Sequence, residues 1–214
     1  MTALSAAEQR EIVRLLADAF DRDPLFSFVY PNAAARCRSL YLLFAAAVKD
    51  AIRFGQLDVA YRDRIVGAGI NYPPGRYPLS FARNLRCLPE YSRMLAAGPF
   101  GFLQLYRSQI GLNKVRPTRP HSYGSHLGGR PGELAGSALM NYWLNDADEN
   151  GWPCYLETHN QRLTRLYRPM GFEILHDGFE MFPGGPLTWT MWREPRAIER
   201  FAPCLRDLDE ARLK

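Results

Sequence analysis

Apolar positions recur along this chain with two periods, and the switches between them outline its elements. Ser5-Ala-Ala-Glu8 has the form of a capping box, in which a serine and a glutamate three residues on satisfy each other's backbone N–H groups. Ile12, Leu15, Leu16, Ala19 and Phe20 follow at helical spacing. This helix is expected to stop before Asp23-Pro24, because a residue ahead of proline is steered away from helical backbone angles. Leu25 to Pro31 reads as an aromatic loop built on Phe26, Phe28 and Tyr30. A second helix starts near Pro31 or Asn32, carries Leu40, Leu43, Phe44, Ala47, Val48, Ala51 and Ile52 on one stripe, and ends at Gly55. Residues 57–62 and 65–72, joined by Asp63-Arg64, read as an antiparallel hairpin that Pro73-Pro74-Gly75 terminates. Residues 79–112 return to a helical pattern, with breaks at Pro89 and at Gly98-Pro99. Their Phe, Tyr and Leu residues, among them Phe81, Leu85, Tyr91, Phe102 and Leu105, make either core or the wall of a pocket.

The second half alternates strand and helix. His121 to Gly128 reads as a strand that runs into a glycine-rich turn, and the helix after Gly136 continues to an Asn150-Gly151 stop. Residues 153–157 form a further strand, Asn160 caps a short helix through Tyr167, Gly171-Phe172 enters the next strand, and Leu187 to Trp192 is the last. Residues 195–214 have the spacing of an amphipathic tail helix, with Ile198, Phe201, Leu205 and Leu208. This order of elements is that of an α/β fold. A glycine-rich turn that opens a helix is also a ready anion site, since the first backbone N–H groups of a helix are unpaired and its dipole favours negative charge.

At 214 residues the chain fits one domain spanning 1–214 and can bury a substantial core. No run approaches the ~20 apolar residues of a membrane span, and Met1 to Ser5 lacks the basic start and apolar stretch of a signal peptide. Cys37, Cys87, Cys154 and Cys204 are scattered, with neither CxxC nor Cys/His ligand spacing, so a reduced, cytoplasmic protein without a structural metal is expected. The formal charge of +5 suits an anionic ligand without demanding one. Lys114 to Arg119 reads as a solvated basic loop rather than a nucleic-acid patch. Neither a membrane nor a nucleic-acid partner is expected.

Several fragments fall in one family's order: His121-x-Tyr123, Leu127-Gly128-x-x-Pro131, Gly136-Ser-Ala-Leu139, Tyr155-Leu-Glu157, Asn160 and Leu166-Tyr167…Gly171-Phe172. In this ordered set the chain resembles the GNAT superfamily of acetyl-CoA-dependent N-acetyltransferases. The resemblance implies a mixed, mostly antiparallel sheet, splayed between the 121–128 and 153–157 strands, with helices on both faces. It implies acetyl-CoA as co-substrate, held by Leu127, Gly128, Gly129, Gly132, Leu134, Ala135, Gly136, Ser137 and Asn160. It places Tyr167 where the family keeps the tyrosine that protonates the departing CoA thiolate. A tyrosine near ~10 giving a proton to a thiolate whose acid is near ~8.5 works uphill by only about 2 kcal/mol. Glu157, at the end of its strand, is a candidate base for an amine that arrives as ammonium. The other reading of Glu157 is a charge that stabilises the start of the helix after Asn160. His121 is a second candidate base, while His126 and His159 show no partner in the sequence.

The pyrophosphate turn departs from the family pattern. Only Gly-Glu-Leu-Ala separates Pro131 from Gly136, roughly three residues fewer than usual. No Gln or Arg stands at its family position, and Leu134 replaces a glycine. Glu133, placed in the first helical turn, either satisfies the helix dipole or repels a pyrophosphate, with Arg130 as a compensating cation. The implied activity is transfer of an acetyl group from acetyl-CoA to a primary amine of a small molecule by direct attack, and a homodimer is compatible with the pattern. A GNAT-like binding or regulatory protein that has lost catalysis is the alternative, and a protein acetyltransferase a third. The aromatic stretch over 79–106 favours a small apolar-bodied amine over a peptide tail.

Overall fold

The structure, a computed structural model, describes residues 4–196. The expected tail helix lies outside those residues from 197 onward, and Pro195 and Arg196 are not helical.

Helix α1 (Ala6–Phe20) opens on the capping box: Ser5 Oγ accepts the Glu8 N–H, and the Glu8 carboxylate accepts the Ser5 N–H at 2.8 Å. The expected aromatic loop is instead a short helix, α2 (Pro24–Val29). The reason is local. Asp23 accepts the Leu25 N–H at 2.9 Å as N-cap, and Pro24 occupies the first turn, where its missing N–H costs nothing. Helix α3 (Ala33–Phe54) starts at the Asn32 cap and stops at Gly55.

The described residues form six strands, β1 (Gln56–Tyr61), β2 (Ile65–Tyr72), β3 (Ser122–Gly129), β4 (Cys154–Thr158), β5 (Glu173–Glu180) and β6 (Leu187–Arg193), in the spatial order β1-β2-β3-β4-β6-β5. Only β3 and β4 pair in parallel; the other neighbours are antiparallel. Strand β2 is buried along its whole length, as an inner strand covered on both faces must be. Helices α1 and α3 cover one face through Leu16, Leu40 and Phe44. Helix α7 (Ala135–Glu149) covers the other through Leu139, Met140 and Trp143. This is the mixed, mostly antiparallel sheet with helices on both faces that the sequence implies.

Two local features shape the middle of the sheet. Strands β3 and β4 pair only through Ser122, Tyr123 and Gly124 against Cys154, Tyr155 and Leu156, and then diverge. At the apex the Trp143 ring lies so close to Gly124 that an added Cβ would stand 2.6 Å from it, and its Nε1–H donates to Ser122 Oγ at 2.8 Å. Strand β3 also bulges at Ser125, since Ile70 pairs with His126 but Asn71 with Gly124. The extra residue resets the alternation of side chains. His126 therefore shares the α1/α3 face with Tyr123, its ring against Phe20 and Phe44.

The helical stretch between β2 and β3 forms α4 (Phe81–Arg86), α5 (Leu88–Ala97) and α6 (Pro99–Val115). The first break falls at Cys87 rather than Pro89, because Pro89 fits the first turn of α5. Helix α6 approaches α2 closely, with Gly98 and Gly101 against the Tyr30 ring where no side chain fits. Leu112 completes that contact with Leu25, Val29, Met181 and Phe182. Two buried ion pairs tie this insertion to the rest. Asp50 of α3 takes two hydrogen bonds from Arg83 and one from the Tyr72 hydroxyl at 2.9 Å. Arg116, just after α6, meets Glu157 on β4 at 2.8 Å, both side chains only 6% exposed.

Removing one partner of such a pair leaves the other charge buried and unpaired, at a cost of about 3–5 kcal/mol. Arg83→Met is expected to lower the free energy of urea unfolding by about that amount. A loss below about 1 kcal/mol would show that the pair behaves like an exposed one.

Candidate active site

The divergence of β3 from β4 and the roof supplied by the insertion enclose a cavity of about 870 Å³. It runs from Leu139, Met140 and Trp143 of α7, past β3 and β4, to Tyr91, Met94, Phe102 and Leu105 of the insertion. The walls are mainly apolar. Asp23, His126, Glu157, His159 and Tyr167 are among the titratable groups in its wall, with Tyr72, Tyr77, Tyr91 and Tyr123.

Tyr167 closes helix α8 (Gln161–Tyr167), which Asn160 caps by accepting the Arg162 N–H at 3.1 Å. Its ring packs on Phe172 at 6.0 Å between centroids. No described protein group hydrogen-bonds its hydroxyl, and burial raises its pKa to about 12. It is thus a proton donor facing the cavity.

Glu157 is engaged on both oxygens. Arg116 Nη2 donates to one at 2.8 Å and the Tyr123 hydroxyl donates to the other at 2.8 Å. The guanidinium lies over the Tyr77 and Tyr123 rings, at 4.6 and 4.9 Å from their centroids. Burial and the Glu157 carboxylate hold the Tyr123 hydroxyl well above the usual phenol range, so it remains a donor.

Of the four histidines, the three weighed in the sequence separate. His121 lies outside the cavity, with Nδ1 2.7 Å from the Arg119 carbonyl and its ring between Tyr155 and Trp192. His126 and His159 line the cavity, and burial lowers each pKa to about 4. Ser125 Oγ lies 2.9 Å from His126 Nδ1 and Thr188 Oγ1 lies 3.1 Å from His159 Nδ1.

Asp23 is the cavity group that the sequence did not single out. Its carboxylate caps α2, faces the cavity, and has no cationic partner among the described residues. Burial raises its pKa to about 6 against the pull of the Leu25 and Phe26 N–H groups. The Asp23-Pro24 pair, read as a helix start and not only as a stop, was the available signal.

Leu127 joins Glu157 and Tyr167 in the cavity wall. Gly128 packs against Leu16 and Ala19 of α1, and Gly129 against Ala135. Beyond them the chain turns through Gly132, at φ 83°, and Leu134, at φ 51°. Leu134 therefore takes the left-handed conformation that glycine adopts freely, at a cost of roughly 1–2 kcal/mol. Glu133 is not in the first helical turn. It precedes the Leu134 cap, and its carboxylate sits 3.4 Å from Arg62 and 3.5 Å from Arg64 of the β1–β2 hairpin. Arg130 is not a free compensating cation either, since it donates to the Ile65 carbonyl and pairs with Glu11. Among the described residues no side chain caps α7, and a Cβ built on Gly132 or Gly136 meets nothing within 4 Å. Uncapped N–H groups at Ala135, Gly136 and Ser137, open space beside them and a neutralised acid fit a pyrophosphate.

No family model matches the sequence. Solved structures nevertheless share its architecture. The chain aligns with a histone acetyltransferase HPA2 and related acetyltransferase from Corynebacterium glutamicum over 91% of its length and 95% of the other, at 22% identity and a TM-score of 0.61. It aligns with an agmatine N-acetyltransferase over 89% and 96%, at 17% identity and a TM-score of 0.52. With arylalkylamine N-acetyltransferase 2 from Aedes aegypti the figures are 91% and 98%, 13% identity and 0.51. The fold of this chain is the GNAT fold.

His126 and His159 should keep neutral rings at about pH 5.5, where a free imidazole of pKa ~6.5 is mostly charged. Nitrogen chemical shifts of the two rings report this directly. A midpoint near 6.5 for either ring would contradict the burial argument.

Proposed function

We propose that this protein is an acetyl-CoA-dependent N-acetyltransferase acting on a primary amine of a small molecule by direct attack. One observation carries the reading: Tyr167 and Asp23 line one cavity, and the Asp23 carboxylate has no cationic partner among the described residues. The names of two proteins with this fold, an agmatine and an arylalkylamine N-acetyltransferase, agree with an amine acceptor.

The N–H groups of Ala135, Gly136 and Ser137, with Gly132 and Leu134 shaping the turn, hold the pyrophosphate of acetyl-CoA. Leu127, Gly128 and Gly129 offer backbone groups to the arm, and Asn160 stands at the start of α8. When bound, acetyl-CoA supplies an acetyl group on a leaving thiolate; a C–N bond forms as the C–S bond breaks. The chain's own groups manage the protons. An ammonium must lose one before its nitrogen can attack, and Asp23 accepts it. The base duty that the sequence assigned to Glu157 passes to Asp23 here, because Arg116 and Tyr123 already occupy both Glu157 oxygens. Neutral His126 and His159 place no positive charge opposite an entering ammonium. Tyr167 gives its proton to the departing sulfur, and the second proton that the attacking nitrogen sheds as the amide forms returns to the phenol. The burial that raises Tyr167 also disfavours a thiolate in the same cavity, so the transfer is not penalised by the full upward shift.

Calorimetric titration with acetyl-CoA tests the reading as a whole, and absence of binding would favour a GNAT-like binding protein without catalysis. Tyr167→Phe is expected to leave acetyl-CoA affinity unchanged and to lower kcat by about 10²-fold or more. Wild-type turnover at that variant would remove Tyr167 from the mechanism.

The Asp23 carboxylate must be ionised to accept a proton, so kcat/KM should fall as pH drops below about 6. Asp23→Asn keeps the helix cap, since Asn and Asp serve equally there, but should remove this acid limb and most of the activity. Glu157→Gln should retain the limb while losing stability to the stranded Arg116. The reverse pattern would restore Glu157 as the base.

A further inference from the structure

The insertion between β2 and β3 exposes apolar surface that the cavity accounts for only in part. Along α6, Phe100, Leu103, Tyr106 and Ile110 recur at three- and four-residue steps and so share one face. They are 65%, 45%, 59% and 42% exposed. The opposite face of α6 buries Gly101, Ser108 and Leu112. A helix apolar on both sides is ordinarily covered on both sides. Among the described residues nothing covers the outer one.

Charge narrows the choice of partner. Between Pro73 and His121 the sequence holds eight lysines and arginines and a single acid, Glu90, while the entire chain is only +5. Two of those cations are internal, Arg83 with Asp50 and Arg116 with Glu157. Arg107 and Lys114 lie among the apolar residues of the outer α6 face, and both are exposed. A second copy of the chain, docked through the same patch on both partners, would set these like charges against each other. A nucleic acid would satisfy the charge but leave the large apolar side chains without a partner. A bilayer satisfies both, because apolar side chains enter its headgroup–acyl boundary while basic ones meet anionic headgroups.

We propose that the α4–α6 insertion docks on a membrane surface rich in anionic phospholipid. No described helix is long and apolar enough to cross a membrane, and docking of this kind needs none. Tyr106 and Ile110 belong both to the outer face and to the cavity lining, as do the exposed Phe81, Leu85 and Leu88 of α4 and α5. The cavity thus opens within the docking face, where an amphipathic amine held in the bilayer would reach it. The docking itself stands whether or not that amine is acetylated.

Sedimentation of the full chain with vesicles decides the matter. Binding is expected to mixed phosphatidylserine–phosphatidylcholine vesicles, much less to phosphatidylcholine alone, and to weaken as salt rises. The double substitution Phe100→Ser with Leu103→Ser should lower vesicle affinity at least tenfold, and Arg107→Glu with Lys114→Glu should do so as well. These four side chains are exposed, so circular dichroism should show both variants folded. Phe100 and Leu103 do not line the cavity, so turnover of a soluble amine should be unchanged in the serine variant. Absence of vesicle binding, or equal binding to neutral vesicles, would overturn the proposal. So would a dimer in analytical ultracentrifugation that the serine substitutions dissociate, since the face would then belong to a second copy.

Discussion

Two parallel neighbours that stop pairing after three residues govern this structure. Past Gly124, β3 keeps its antiparallel partner β2 on one side and loses β4 on the other. Past Leu156, β4 keeps β6 and loses β3. Each strand therefore offers one edge of unpaired backbone groups to the gap. An unpaired edge is a template for any extended chain with amide groups of its own, and the pantetheine arm of acetyl-CoA is such a chain. The gap is kept open by packing rather than by strain. Trp143 fills the apex against Gly124, and the Ser125 bulge turns His126 towards α1 and α3.

The same opening determines what the two carboxylates can do. Glu157 stands just beyond the point of divergence, where a buried acid without a partner would be costly. Arg116 and Tyr123 supply that partner, and in doing so they attach the end of α6 to the sheet. Asp23 reaches the cavity from the α1–α2 corner, and among the described residues its carboxylate is met by backbone N–H groups alone. Both Glu157 oxygens already accept from Arg116 and Tyr123, which leaves neither free to meet a substrate. Burial holds the Asp23 carboxyl up at about 6, against the pull of its backbone N–H donors. The difference lies in the surroundings, since both are ordinary acids at element boundaries.

Much of the fold was legible because its signals are local. The Ser5–Glu8 box, the Asn32 and Asn160 caps, the Gly55 stop and the hairpin each depend on residues a few positions apart. Helix α2 was missed although its signal is equally local, because Asp23-Pro24 ends one helix and starts another within the same four residues. The site was legible only in part. Tyr167 and Leu127, both singled out in the sequence, line the cavity. The engagement of Glu157 depends on an arginine 41 residues away, and the isolation of Asp23 depends on which groups lie across the cavity. Neither property has a periodicity or a spacing that a sequence pattern can carry. The apolar stretch over 79–112 proved to be core, pocket wall and uncovered surface at once, because one helix can present a different environment on each face.

The shortened turn shows how a departure from a family pattern can be absorbed. Leu134 keeps the left-handed backbone for which glycine is usually selected, accepting strain where a glycine would have none. Glu133 lies outside the helix, ahead of its Leu134 cap and on the side of the β1–β2 hairpin. Arg62 and Arg64 meet it there. Both arginines are about half exposed, so the pairs contribute little to stability. Their consequence is electrostatic. The negative charge of Glu133 is offset by two positive ones, and the N–H groups at Ala135 to Ser137 meet no side-chain acceptor among the described residues. A loop that looked damaged in sequence thus retains, in three dimensions, the two properties that an anion needs: unpaired donors and a local field that is not negative.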